Sequence, residues 1–481
     1  MKHQIVGFTI GILLVIIGIA EFIPALVDMS DDHINSAAFV ECALVSLFFG
    51  GALILSNYAH DNNLDVRQTF MLTVLSWLAM SVFAAFPFYF SDLDLSFTDA
   101  FFESVSGITT TGSTVLSGLD GMSRGVLLWR SITQWIGGIG IIAFAIVILP
   151  FLRIGGMQLF RTESSDKSEK VMPRTVDLVA SLLKVYAILT AACAATFFVL
   201  GMNIFDAINH ALTTIPTGGY STHDASFGFF KQPALHYAGA FFMLCGGIPF
   251  VLYIKFFFQG KFEFFKDEQF RSLLVMLVCF FGVLTSWLWL NSSYSVEESL
   301  RYVVFNVISV ITTTGFATTD YTLWGGFAAT FIFFLTFLGA CSGSTAGGMK
   351  VMRLVIALKL AQRQIKTLLF PHGVFTLHYQ GRPIDANVAI TVLGFLGVFA
   401  ISAAVLAIAL SLLGLDFETA ISASATALAN VGPGIGSVIG PSGNFSSLPD
   451  TAKWLLCAAM LFGRLEMMTV LVLFRPEYWR R

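Results

Sequence analysis

Charged residues are scarce in this sequence. Aspartate, glutamate, lysine and arginine make up 12% of its 481 residues, whereas 56% are hydrophobic. Because soluble domains carry about 25% charged residues, this composition indicates a protein of the lipid bilayer. The six cysteines are scattered singly and suggest neither a metal site nor a disulfide framework. The sequence also lacks a P-loop and a Gly-x-Gly-x-x-Gly fingerprint. We therefore expect no enzymatic activity, no organic cofactor and no nucleic-acid partner.

Long apolar runs are abundant instead. A membrane-spanning helix needs about 20 apolar residues, and about ten segments qualify. They are roughly 5–27, 37–57, 69–90, 125–150, 177–201, 234–258, 272–290, 324–361, 386–413 and 453–474. The first is too long for the apolar part of a signal peptide, so we interpret it as a span. We predict an all-α polytopic membrane protein.

Lysine and arginine are distributed unevenly between the two sides of these spans. Basic clusters occur in the ranges 153–174, 255–271, 350–382 and 475–481, while the opposite loops are mostly acidic. Cytoplasmic loops carry the excess of positive charge in membrane proteins. Both termini are therefore predicted to be cytoplasmic.

A short polar motif that ends in glycine recurs four times, each time between two apolar segments. The copies are Thr110-Thr111-Gly112, Thr217-Gly218-Gly219, Thr313-Thr314-Gly315 and Asn430-Val431-Gly432. The glycines lie roughly 100 residues apart, and such a period indicates a repeated architecture. We predict an N-terminal helix pair followed by four repeats, with boundaries at 1–60, 61–155, 156–262, 263–375 and 376–481.

The chemistry of the motif favours a cation pathway. The short apolar stretch before each copy cannot cross the membrane, so it must enter and return, and non-helical backbone at that depth survives only against protein or water. Four such segments around an axis would present backbone carbonyls to a cation, as a selectivity filter does. In the fourth copy Pro433 lacks an N–H, and we expect the Asn430 amide to replace a threonine hydroxyl as a brace. The alternative is four re-entrant loops that only plug a helix bundle.

The eighth apolar segment is interrupted at residues 339–350. Its glycine, serine and threonine residues hold a helix poorly, and broken helices near the membrane centre mark transport pathways. The stretch is predicted to be a flexible gate; a kink filled by a neighbouring helix is the alternative. The candidate gate residues here are Gly343, Ser344, Thr345, Gly347, Gly348 and Lys350. Lys350 is either a charge of the gate or a side chain that reaches toward the cytoplasm.

Two charges, Arg464 and Glu466, lie inside the last span. Such charges are costly and usually functional, and two residues apart they need separate partners because they do not share a helix face. Arg464 is predicted to be an electrostatic barrier to cations beside the gate, with a structural ion pair as the alternative. For Glu466 we favour the structural pair. Arg130 is predicted to brace the outer side of the first hairpin.

Several stretches together resemble the Trk/Ktr/HKT superfamily of potassium transporters, most closely its bacterial TrkH branch. They are residues 99–112, 154–159, 221–226, 343–350, 430–434 and 462–466. The resemblance implies four membrane–pore–membrane repeats in pseudo-fourfold symmetry. It also implies K⁺ bound at the four motifs, a gate at 339–350 beside Arg464, and the bacterial inner membrane. It further implies a homodimer docked on cytosolic nucleotide-binding TrkA-like regulatory subunits. Pro216 departs from the family pattern and puts the bracing of the second strand in question.

The function that we expect is potassium uptake across the cytoplasmic membrane through a gated, channel-like, K⁺-selective pore. One alternative is a K⁺ symporter coupled to Na⁺ or H⁺, for which Glu103 and Glu466 are the candidate coupling residues. Another is a non-conducting membrane sensor or scaffold.

Overall fold

The computed structural model describes residues 4–58, 65–148 and 171–480. The sequence-predicted repeat boundaries at 60/61 and 155/156, basic residues 153–170 and the motif at 154–159 lie outside the described residues. Two helices, α1 (Gln4–Ser30) and α2 (Asn35–Ser56), form the N-terminal pair. They pack closely through Gly11 and Gly50, because a methyl group added to either glycine would collide with the other's carbonyl oxygen.

Four units follow, and each contains a long helix, a short helix and a third helix. The long helices are α3 (Val66–Phe90), α6 (Val171–Val199), α10 (Glu268–Asn291) and α14 (Ala386–Leu412). The short helices are α4 (Phe97–Ile108), α7 (Ile204–Thr214), α11 (Val296–Ile311) and α15 (Phe417–Ala429). The third helices are α5 (Arg124–Ala143), α8 (Pro233–Gly247), α12 (Gly326–Thr336) and α16 (Asp450–Arg464). The predicted all-α polytopic fold is confirmed, and the order of these helices is consistent with an N-terminal pair and four repeats.

The remaining elements complete the described chain. They are α9 (Phe250–Gln259), α13 (Val351–Leu369), α17 (Met467–Leu471), α18 (Pro476–Trp479), a π-helical turn at Phe144–Ile148, and 3₁₀ turns at Leu119–Gly121, Ser226–Phe229, Phe264–Lys266, Tyr321–Trp324 and Val472–Phe474. Strands β1 (His378–Tyr379) and β2 (Arg382–Pro383) pair antiparallel.

Fewer straight spans are present than the sequence predicts. Within the described ranges, seven helices are long and apolar enough to cross a membrane, or up to nine if each of two bent pairs is one span. The predicted span 234–258 bends by 93° between α8 and α9, where Pro249 cannot continue the hydrogen bonding of α8. The predicted span 453–474 bends by 109° after α16, where Glu466 has a φ of +60° that no α-helix contains.

Each short helix begins with the same capping arrangement. The N-cap side chains of Ser96, Asn203, Ser295 and Asp416 accept a hydrogen bond from the backbone N–H three residues further on. This bond satisfies one of the N–H groups that a helix start leaves free. The four short helices thus begin alike, and the C-terminal end of each leads directly into one of the four polar motifs.

Many polar residues are buried at the centre, and many large apolar residues are exposed at the periphery. Ser104, Ser106 and Thr109 at the centre are fully buried, whereas Ile390 and Ile401 on α14 are exposed. Large apolar surface faces lipid at no cost, so this inside-out distribution is typical of a membrane protein. It surrounds the four motifs with a hydroxyl-rich interior.

Candidate functional site

The four motifs form four short strands with the same backbone. In each, the N–H of the residue before the glycine donates to the carbonyl oxygen five residues earlier. These bonds are Thr111 to Ser106 (2.8 Å), Gly218 to Thr213 (2.9 Å), Thr314 to Ser309 (2.8 Å) and Val431 to Thr426 (3.1 Å). The first residue of each motif has a positive φ: +50° at Thr110, +54° at Thr217, +57° at Thr313 and +55° at Asn430. Such angles are uncommon for residues other than glycine, so their fourfold recurrence indicates a shared structural requirement.

The motif glycines also have positive φ, between +81° and +105°. A methyl group added to each would lie 2.9 Å or less from a carbonyl oxygen of the next strand. The pairs are Gly112 with Gly218, Gly219 with Thr314, Gly315 with Val431 and Gly432 with Thr111. Strands 1 to 4 therefore form a closed ring in chain order, and only glycine allows both the backbone angle and this approach.

All twelve sequence-predicted motif residues are brought together in this ring. The two residues before each glycine are buried, and three of the glycines, Gly112, Gly219 and Gly315, line a cavity on one side of the ring. We call this the glycine-side cavity. At the opposite end the strands join the C-terminal ends of the short helices, where the helix dipole is negative.

Three of the four strands are braced in two ways. In strands 1 and 3, hydroxyl groups pair across one residue, Thr109 with Thr111 at 2.7 Å and Thr312 with Thr314 at 2.8 Å. Strand 4 has alanine and valine at these places. Its Asn430 amide donates to Thr111 Oγ1 and to the Met460 carbonyl, both at 2.9 Å. The expectation that this amide acts as a brace is confirmed.

The brace that the sequence predicts at Arg130 is present, and it lies at the glycine side of the ring. Its guanidinium forms a fully buried ion pair with Glu103 at 2.8 Å and donates to the Ser221 carbonyl at 2.9 Å. It also reaches Thr114 Oγ1 at 3.2 Å and lies 4.1 Å from the centre of the Tyr220 ring. One side chain thus ties the first short helix to the loops that follow strands 1 and 2.

A histidine cluster at the glycine-side cavity has no clear signal in the sequence. His223 Nδ1 lies 2.5 Å from Asp120 and Nε2 lies 3.1 Å from Asp206, and the ring stacks on Phe229. Burial alone would lower the pKa of His223, but the hydrogen bonds and charges of the two carboxylates outweigh it, so the pKa is raised. The imidazole therefore links the loop after strand 1 to the loop after strand 2.

The interrupting stretch at 339–350 lies across the other end of the ring. Thr345 Oγ1 is 3.0 Å from both the Ile215 and Gly246 carbonyl oxygens. The Gly347 N–H donates to Thr313 Oγ1 at 2.7 Å, and the Gly348 N–H donates to the Ala429 carbonyl at 2.9 Å. We call residues 339–350 the crossing loop. It is held by hydrogen bonds to the second, third and fourth units, and its residues Ser344, Thr345 and Ala346 are fully buried.

Arg464 holds the crossing loop from the fourth unit. Its Nη1 donates to the Thr345 carbonyl at 2.8 Å, while Nε and Nη2 have no hydrogen-bond partner among the described residues. The side chain borders a small cavity that is also lined by Gly343, Gly347, Lys350 and Glu466. A largely desolvated positive charge therefore faces the space beside the loop.

The arginine breaks the fourfold pattern. Equivalent places in three of the third helices are occupied by Gly137, Gly246 and Gly463. A methyl group added to these glycines would collide with the carbonyl oxygens of Ile108, Ile215 and Leu428, respectively, and each of these residues lies four positions before a motif glycine. The residue after this glycine is glycine in the first and second units, Gly138 and Gly247, but Arg464 in the fourth. Shared architecture thus does not explain the arginine.

The other charges near the crossing loop have partners of their own. Glu466 forms a buried ion pair with Arg353 at 2.7 Å, and Arg353 lies 3.8 Å from the centre of the Phe395 ring. The structural ion pair that we favoured for Glu466 is present, and the prediction that Glu466 and Arg464 have separate partners is confirmed. The Lys350 ammonium group donates to the Ala346 carbonyl within the loop, which favours its interpretation as a charge of the loop.

Comparisons with known proteins agree with this architecture. The family model described as TrkH, cation transport protein, matches residues 35–481. The Trk system potassium uptake protein TrkI of Halomonas elongata is 46% identical over 473 residues, which cover 98% of this chain and 96% of that protein. The TrkH protein of Escherichia coli K12 is 37% identical, with both chains covered in full. The crystal structure of the potassium transporter TrkH from Vibrio parahaemolyticus superposes with a TM-score of 0.93 at 36% identity over the full length of both chains. This chain is a membrane transporter, not an enzyme, and it belongs to the TrkH family of cation transport proteins.

Proposed function

We propose that this protein takes up potassium through a gated, channel-like pore. The observation that carries the proposal is the closed ring of four strands with matching φ angles. Backbone carbonyls arranged around an axis replace the hydration shell of a cation. The relatives compared above are named as potassium uptake proteins, which supports K⁺ as the transported ion.

The selectivity filter in this proposal consists of the four strands. Its residues are Thr110, Thr111, Gly112, Thr217, Gly218, Gly219, Thr313, Thr314, Gly315, Asn430, Val431 and Gly432. The four short helices direct their negative C-terminal ends toward the ring, which favours a cation there. The positive φ angles allow successive carbonyl groups to turn toward the axis of the ring. The close approach of the glycines keeps the strands near one another.

The gate in this proposal is the crossing loop together with Arg464. The loop lies across the end of the ring that is remote from the glycine-side cavity, and hydrogen bonds hold it to three of the four units. The Arg464 charge opposes a cation at the same place. Opening requires the loop to exchange these bonds for others, so a regulatory partner could control the pore through it.

Coupling to Na⁺ or H⁺ is less well supported. The candidate acidic residues, Glu103 and Glu466, are each engaged in a buried ion pair with an arginine. A carboxylate held in this way is poorly suited to bind a second ion, because breaking its ion pair would leave the buried arginine without a partner.

The cellular arrangement also belongs to the proposal. Basic residues at 255–271, 350–382 and 475–481 favour cytoplasmic termini in the bacterial inner membrane. The glycine-side cavity then faces outward. We propose one helix pair (1–60) and four pore repeats (61–155, 156–262, 263–375 and 376–481). As the membrane subunit of a Trk system, the chain would form a homodimer on cytosolic nucleotide-binding TrkA-like subunits.

Flux measurements on the purified chain test the proposal. The protein is reconstituted into liposomes, and K⁺ and Na⁺ fluxes are measured under an imposed membrane potential, with empty liposomes as the control. We expect K⁺-preferring flux that needs no second ion gradient. Flux that appears only with a Na⁺ or H⁺ gradient would favour the symporter, and no cation movement under any condition would favour a sensor or scaffold.

A further inference from the structure

The second filter strand lacks the brace that strands 1 and 3 share. Those strands pair threonine hydroxyls one residue apart. The same two places in strand 2 are Pro216 and Gly218, neither of which has a hydroxyl group. The strand nevertheless adopts the common backbone, with a φ of +54° at Thr217 and +81° at Gly219. Another part of the chain must therefore hold it.

Gln134 on α5 makes the missing contacts. Its side-chain Nε2 donates to the Gly218 carbonyl at 2.7 Å, and its Oε1 accepts from the Tyr220 N–H at 3.1 Å. The side chain is fully buried. A single amide thus uses one donor and one acceptor to hold the backbone on both sides of Gly219.

The shapes of Gln134 and Gly218 are matched. A methyl group added to Gly218 would collide with the Gln134 amide. Gly218 is not among the residues with positive φ, so the glycine there is required by this contact and not by the backbone angle. The amide and the absent side chain therefore form one unit.

The corresponding residues in two other units show that packing alone does not need an amide. The third helices can be aligned on the equivalent glycines Gly137, Gly246 and Gly463. The residue three positions before this glycine is Gln134 in the first unit, Met243 in the second and Met460 in the fourth. Methionine is about as long as glutamine but offers no N–H. The first unit, whose third helix backs strand 2, carries the amide.

We propose that Gln134 is a positioning residue for ion selectivity, which orients the Gly218 carbonyl and the Tyr220 amide of strand 2. The inference rests on the proposed filter function. Discrimination between K⁺ and Na⁺ depends on the number and placement of coordinating carbonyls. Freeing one of four strands should therefore widen the range of ions accepted without blocking the pore.

The substitution Q134M tests this proposal, since it installs the residue that the second and fourth units have at this place. Q134M removes both hydrogen bonds of Gln134. We expect the K⁺ over Na⁺ permeability ratio in liposomes to fall by about 2- to 12-fold, the factor that loss of the hydrogen bond to the Gly218 carbonyl corresponds to, while K⁺ flux persists. M243L, at the equivalent buried place in the second unit, is the matched control and should leave the ratio unchanged.

A second variant keeps the test sharp if Q134M folds poorly. G218A adds a methyl group to the strand that would displace the Gln134 side-chain amide. We expect the same fall in the K⁺ over Na⁺ ratio. The double variant G218A/Q134A should lose no more selectivity than Q134A, because both changes break one unit. Unchanged ratios in Q134M and G218A, measured against a selective parent, would overturn this inference alone. A parent chain without K⁺ preference would overturn the proposed function and the inference with it.

Discussion

Replacing Arg464 with methionine should open the pore in the absence of a regulatory partner. Methionine keeps much of the apolar length of the side chain but removes its charge and its N–H groups. The hydrogen bond from Nη1 to the Thr345 carbonyl, 2.8 Å long, is then lost. The crossing loop keeps its other bonds, so the protein should still fold with the loop less firmly held.

The structure limits the size of the effect. A hydrogen bond from a charged group stabilises by about 1.5–3 kcal/mol, which corresponds to about 10- to 150-fold in an equilibrium constant. Two nitrogen atoms of the same buried guanidinium have no hydrogen-bond partner among the described residues, and their desolvation offsets part of this gain. We therefore expect the lower end, about a tenfold shift from closed to open. Loss of the positive charge beside the pore acts in the same direction.

The assay is passive K⁺ flux into liposomes that contain the purified chain alone, at a small imposed potential. R464M should increase the initial rate about tenfold over the parent protein. R124M is a suitable control, because Arg124 is half-exposed and pairs with Asp31 far from the crossing loop. Its flux should equal that of the parent.

A folded R464M variant with parental or lower flux would refute this reasoning. Folding is checked by the thermal unfolding midpoint in detergent. If the unfolding midpoint of R464M is instead far below that of the parent protein, Arg464 is a structural residue of the fourth unit, and the gating role is wrong.

Three further predictions concern the ring and its supports. G315S should lower the K⁺ over Na⁺ ratio, because its side chain would collide with the Val431 carbonyl at a φ of +83°; an unchanged reversal potential under mixed-ion conditions would argue against a filter. E103Q should destabilise the protein by about 3–5 kcal/mol, since it leaves the Arg130 charge buried without its partner; denaturant unfolding measures this, and a loss below about 1 kcal/mol would contradict it. The raised pKa of His223 means that its stabilising contribution is full below the unfolded value of about 6.5 and is lost as pH rises through the folded pKa. The difference in unfolding midpoint between parent and H223Q should therefore shrink from pH 6 to pH 9, and a difference that grows with pH would exclude this linkage.

Local patterns predicted much of this molecule. The apolar runs, the four motifs and the interrupting stretch are each readable within a few tens of residues, because hydropathy and glycine content act locally. The position of Gly315, for example, follows from the repeat alone. The need for another brace in strand 4 follows from Pro433 in the same way.

The bends in the spans were harder to foresee. Residues 234–258 are predominantly apolar, and hydropathy does not distinguish a straight span from one that turns by 93°. Pro249 is a local signal for that bend. The turn at Glu466 has no such signal, because its ion pair with Arg353 joins residues more than 100 positions apart.

The sequence by itself determined the membrane location, the number of repeats and the twelve motif residues, since these depend on composition and spacing. Only the tertiary structure decided which groups meet. Gln134 reaches strand 2 from the preceding unit, Arg464 reaches the crossing loop, and Arg130 pairs with Glu103. A polar side chain buried in a membrane protein needs a partner. The sequence shows that need, but the ring that brings repeats roughly 100 residues apart into contact selects the partner.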